Sequence, residues 1–97
     1  MMPETPAQVA WKLMGQRVGV RLRLFASARE AAGVGEACFG GEDVEQVLGA
    51  AIGQFGPAFA RVVEVSRVWV NGAPAEPSTR LNEGDELAVL PPVSGGM

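Results

Sequence analysis

Apolar and polar residues alternate at the start of the patterned part of the chain. Over residues 17–25, Val18, Val20, Leu22 and Leu24 fall on one side, and Gly19, Arg21, Arg23 and Phe25 on the other. Period two with branched apolar residues predicts a strand buried on one face. Ser27-Ala28-Arg29-Glu30 then has the form of a capping box, and Gly33 stands where a helix C-cap belongs, so a short helix is predicted. A weak strand follows over residues 36–39, ended by Gly40-Gly41. Next comes the principal helix. Asp43 is a favourable N-cap with Gln46 three residues on, and Val44, Val47, Leu48, Ala51, Ile52 and Phe55 form one apolar stripe ended by Gly56-Pro57. Gly49 and Gly53 within it have two readings: a close backbone approach to the sheet, or tolerated positions on the solvent side. Residues 67–70 predict a strand, Asn71-Gly72 a tight reversal, residues 81–85 a second turn, and residues 86–90 the final strand.

Strands grouped around one long helix predict an α+β fold. The preferred topology is a β-grasp, a mixed sheet packed on one main helix with the first and last strands central. The expected organisation is an N-terminal extension over residues 1–16, flexible and turn-like despite Trp11, a β-grasp domain over 17–90, and an extended, flexible C-terminal tail over 91–97. Parity places Phe25 and Leu90 on the outward side of their strands. Trp69 is out of phase with Val68 and Val70 and joins them as a candidate partner-binding patch, with Arg29 as a polar contact at its rim.

Composition narrows the function classes. A chain of 97 residues that is 47% hydrophobic makes one compact domain. Its net charge of −3 provides no basic field for phosphates, which argues against nucleic-acid binding. No apolar run approaches the ~20 residues of a membrane span. Cys38 is the sole cysteine, favouring a reducing, cytoplasmic setting, and a lone cysteine in a weak strand is expected to be a small buried residue. With no histidine and one lysine, Lys12, the chain shows no nucleophile–base constellation and no metal-ligand cluster, so it is expected to be non-catalytic alone and to bind no metal or cofactor.

The candidate chemistry lies in the tail, Pro91-Pro92-Val93-Ser94-Gly95-Gly96-Met97. The prolines lack a ladder N–H, so pairing should stop at Leu90 and the chain should project outward from there. Residues 92–96 then span about 17 Å. Glycines are slim enough to thread a narrow enzyme channel.

Residues 20–33, then Val70-Asn71-Gly72, then residues 81–96 ending in Pro-Pro-Val-Ser-Gly-Gly, resemble the MoaD family within the MoaD/ThiS superfamily: ubiquitin-like sulfur carriers that form the small subunit of molybdopterin synthase. The resemblance implies that the Gly96 carboxylate is adenylated with ATP on a ubiquitin-activating-like adenylyltransferase (MoeB-type). Conversion to a thiocarboxylate follows, and sulfur is donated to the precursor pterin, precursor Z, on the large synthase subunit (MoaE-type). Met97 departs from the pattern, since such carriers end at the second glycine. Removal by a trimming peptidase is the preferred reading; a partner that tolerates Met97, or a lost carrier role, are the others. Alternative functions are sulfur supply to thiazole or cysteine synthesis, ubiquitin-like protein modification, and a β-grasp adaptor that uses its sheet alone.

Overall fold

The computed structural model describes residues 19–92. The predicted extension over 1–16 and the tail residues 93–97 lie outside the described residues. The elements are β1 (Val20–Leu24), α1 (Ala26–Ala32), β2 (Glu36–Phe39), α2 (Val44–Phe55), α3 (Pro57–Glu64), β3 (Arg67–Val70), β4 (Ala73–Pro74) and β5 (Glu86–Leu90). They form a five-stranded sheet in the order β2-β1-β5-β3-β4. β1 and β5 are parallel neighbours at its centre, and the other pairings are antiparallel. A parallel pair needs a long crossover, and here it contains all three helices. This is the ubiquitin-like β-grasp, with the first and last strands central as expected.

The alternation in β1 and β5 becomes the core. Val20, Leu22 and Leu24 are 1%, 0% and 2% exposed, and Leu87 and Val89 beside them are fully buried. Ala28 from α1, Val44, Val47 and Ala51 from α2, and Phe59 from α3 close the same core. Each large side chain buried this way contributes about 1.5–3 kcal/mol of transfer free energy. Asp43 caps α2 as expected, its Oδ1 accepting from the Gln46 amide at 2.9 Å, while Gln46 Oε1 accepts from the Glu42 amide at 2.9 Å. At Asn71 and Gly72, φ is 50° and 85°, the positive values that a tight hairpin demands.

Several expectations are corrected. The capping box at Ser27 does not form: α1 starts at Ala26, with Phe25 as an N-cap that makes no side-chain bond. The chain turns at Ala26 (φ 51°), and Phe25 O accepts from the amides of Ala28 and Arg29 at 3.0 and 3.4 Å. Ser27 therefore already lies inside the first turn, too late to cap it. The C-cap at Gly33 does form, at φ 82°.

Gly56-Pro57 ends α2 but also starts α3, which the sequence reading missed. Gly56 takes φ 98°, and Pro57 sits where no helical N–H is needed. Phe59 is fully buried. Edge-to-face stacks join Phe39 to Phe55 at 5.8 Å and Phe55 to Phe59 at 5.2 Å, pinning α3 to α2 and β2.

Gly49 and Gly53 are on the solvent side, with nothing within 4 Å of a Cβ built on either. The close approach is at Gly41, where a Cβ would stand 2.7 Å from Val47 Cγ2 and 2.9 Å from the Val47 amide nitrogen. Cys38 is exposed rather than buried. It pairs with Arg21 across β1–β2 and so shares the outward side of the sheet with it, while Ala37 and Phe39 are the half-buried residues of β2.

Candidate functional site

Period two continues past the end of pairing on β5. Leu87 and Val89 are buried and so is Pro91, whereas Pro92 is exposed. The ladder stops at Leu90 as expected. The body nevertheless retains Pro91, and the chain leaves it at Pro92; this corrects the expectation that both prolines project. Among the tail residues singled out by sequence, Pro91 and Pro92 are thereby placed. Val93, Ser94, Gly95, Gly96 and Met97 lie outside the described residues.

The outward side of β5 carries Ala88 and Leu90, both half-buried. Ala88 stands between Arg23 on β1 and Trp69 on β3, and Leu90 stands beside Arg67. Phe25 follows β1 in extended conformation and is 38% exposed. Its ring lies under the Arg23 guanidinium, with Cζ 5.5 Å from the centroid, which places it on this same side. The structure thus brings Phe25, Leu90 and Trp69 to one face at the end of the sheet where the tail departs. Ala88, the β5 residue between Arg23 and Trp69, has a small side chain. Trp69 is half-buried and also lines a groove of about 510 Å³ at the β3–β4 edge, shared with Val63, Arg67, Val68, Pro74 and Ala75.

Arg29 is placed differently from the other three. It is exposed on α1, and its Nε lies 3.3 Å from where a Cβ on Gly35 would stand, so the side chain covers the α1–β2 connection. Gly35 O accepts from the Leu24 amide at 2.9 Å, which keeps Arg29 at the tail end of the sheet, at the rim of the face.

Charged pairs lie on the same face. Arg23 Nη1 is 3.2 Å from Glu86 Oε2, and Arg21 Nε is 3.0 Å from Glu36 Oε2. Alternation along β5 already marks Ala88 as outward beside Leu90; sequence reasoning missed Arg67 as a member of the face, although alternation along β3 marks it as outward. The Arg23–Glu86 pair had no local signal, because it depends on the β1–β5 register. Among the described residues, no group of three or more His, Cys, Asp or Glu side chains is arranged to hold a metal ion. Nor is any helix among them long and apolar enough to cross a membrane.

A β-grasp body with apolar side chains on its outward face near Leu90, and a sequence carrying Gly95-Gly96 directly after its central strand, defines a ubiquitin-like protein of the small carrier and modifier class. Within that class the chain belongs to the ThiS family, which residues 22–96 match. The molybdopterin synthase sulfur carrier subunit of Chlamydomonas reinhardtii is 34% identical over 82 residues, 79% of this chain and 98% of that protein. Among solved structures, the small archaeal modifier protein 1 of Methanosarcina acetivorans is similar at a TM-score of 0.73 and 32% identity, over 81% of this chain and 97% of its own. The Haloferax volcanii protein of the same name gives a TM-score of 0.72 and 32% identity, over 80% and 99%.

Proposed function

We propose that this chain is the sulfur carrier subunit of a molybdopterin synthase and works in the cytoplasm. The observation that carries the reading is the join between fold and tail: Pro-Pro-Val-Ser-Gly-Gly follows directly on the central strand β5, beside the exposed apolar face. The similarity to the Chlamydomonas carrier subunit supports the same assignment.

The chemistry follows from the poor reactivity of a carboxylate. An oxygen of the Gly96 carboxylate attacks the α-phosphorus of ATP on an adenylyltransferase partner, releasing pyrophosphate. A persulfide on a sulfur donor then attacks the acyl carbon and AMP leaves, taking the carboxyl oxygen with it; a thiol cleaves the resulting acyl disulfide, forming a disulfide with the donor's sulfur and leaving Gly96 with the thiocarboxylate sulfur. That sulfur attacks the precursor pterin on the large synthase subunit. The partners supply the electrostatic stabilisation of each step, and this chain supplies a slim end and a docking face. Met97 blocks the first step, since it ties the Gly96 carboxyl into a peptide bond. A peptidase removes it.

An ATP–pyrophosphate exchange assay with the cognate adenylyltransferase tests this, comparing the 97-residue chain with one ending at Gly96. Only the shorter chain should drive exchange. Comparable exchange by both removes the need for trimming, and exchange by neither removes the carrier reading. A second reading, protein modification, is favoured by the likeness to the two small archaeal modifier proteins. Isopeptide-linked conjugates in the native host, in place of a thiocarboxylate, would select it.

A further inference from the structure

The outward charges of the central and tail-end strands are neutralised within the sheet, with one exception. Arg21 is paired with Glu36 and Arg23 with Glu86. Arg67 is exposed, and among the described residues no carboxylate oxygen lies within 4.0 Å of its guanidinium. It stands directly across from Leu90, the last residue of β5. It also lines the groove at the β3–β4 edge. The groove runs between β3–β4 and the Val44, Leu48 and Val63 side of α2 and α3. On the β4 side Trp69 pairs with Pro74 and Val70 with Ala73, the Ala75 amide donates to Val68 O at 3.0 Å, and Arg67 has no register partner there.

We propose that Arg67 is a partner-specificity residue, and that the large synthase subunit meets it with a carboxylate flanked by an apolar side chain seated beside Trp69. The proposal rests on the carrier reading above. A partner that takes the tail and covers Phe25, Ala88 and Leu90 also removes water from Arg67, because Arg67 and Leu90 are cross-strand neighbours. A desolvated guanidinium without a counter-charge costs more than the surrounding apolar contact gains. A carboxylate opposite its planar N–H fork reverses that balance and fixes the orientation of the two proteins. Glu64 lines the groove on its helix side and repels an acid entering there, so the partner's carboxylate approaches from the Leu90 side. Since the chain carries a net charge of −3, a lone cation at this spot acts through local pairing rather than through a long-range field. A surface with no acid opposite Arg67 is thereby rejected.

Calorimetric titration of the carrier into the large subunit from the same organism, at several salt concentrations, tests the assignment. Arg67→Ala should weaken binding at least about tenfold and Arg67→Glu at least about thirtyfold, with a shallower salt dependence. Arg61→Glu, an equal charge change on the exposed side of α3, should stay within about twofold. Melting midpoints of all the variants should match the parent. Replacing the facing acid of the large subunit with Arg should restore binding to Arg67→Glu. Binding of Arg67→Glu within about twofold of the parent overturns the proposal. Failure of the unaltered chain to bind overturns the carrier reading on which it rests.

Discussion

Asn71 and Asp85 are joined side chain to side chain, Asn71 Nδ2 donating to Asp85 Oδ1 at 3.0 Å. The bond ties the β3–β4 hairpin to the turn before β5. Asp85 Oδ2 accepts from the Asn82 amide at 2.8 Å, and Asn71 Oδ1 accepts from the Glu86 amide at 2.9 Å. The Asn82 amide first, and the Asn71 side chain second, hold the Asp85 carboxyl below its ordinary value of 3.8. A carboxyl with a depressed folded-state pKa contributes stability above its unfolded value, about pH 4, and loses it as pH falls through the lower folded value. Asp85→Ala should cost roughly 1 kcal/mol at pH 7, and the gap to the parent should narrow as urea melts are taken toward pH 3. A constant gap would remove the carboxylate from the account. Partner affinity should be unaffected, because Glu86 and Leu90 are opposite ends of β5.

Glycines in and before α2 should respond to alanine with opposite signs. Gly49→Ala and Gly53→Ala meet open space and should each stabilise by about 0.5–1 kcal/mol through helix propensity. Gly41→Ala drives a methyl into Val47 and should destabilise the fold, lowering the denaturant midpoint without changing the slope.

Phe59 is the anchor of α3. Its replacement by alanine should cost about 3–5 kcal/mol, since it opens a cavity and removes the stack on Phe55. Hydrogen exchange should then show protection lost first in α3. Unchanged protection there would mean that α3 is held by other contacts.

Phe25 and Leu22 separate docking from folding. Leu22→Ala should cost about 2–5 kcal/mol of stability, because the side chain is fully buried. Phe25→Ala gives up the cation–π contact with Arg23 and the packing of a partly exposed ring, and should cost about 1 kcal/mol of stability, less than Leu22→Ala. Its affinity for the large synthase subunit should fall by about 2 kcal/mol or more if it anchors the interface. Equal losses in melting midpoint and affinity for Phe25→Ala would show that it is a core residue and not an anchor.

The Asp43 cap and the Gly33 C-cap were legible because each rests on residues within one turn of each other. The supposed cap at Ser27 misled for the same reason. Its spacing to Glu30 is right, but the chain had already turned at Ala26 to follow β1. Cys38 went wrong because a four-residue edge strand is too short for its alternation to be read without its neighbour. In α3, the spacing of Phe59, Val62 and Val63 is a helical signal that was overlooked behind Gly56-Pro57.

The sequence by itself determined the two central strands, the main helix and a tail that stops pairing after Leu90, because burial of one face imposes a period and proline removes a donor. It determined as well that Phe25 and Leu90 point away from the core. Only the tertiary structure decided that Trp69 lies beside Ala88, that Arg67 lies beside Leu90 with no carboxylate among the described residues within ion-pair distance, and that Arg23 is neutralised by Glu86. Those relations join residues far apart in the chain through the pairing register, and no local period records which strand becomes which strand's neighbour.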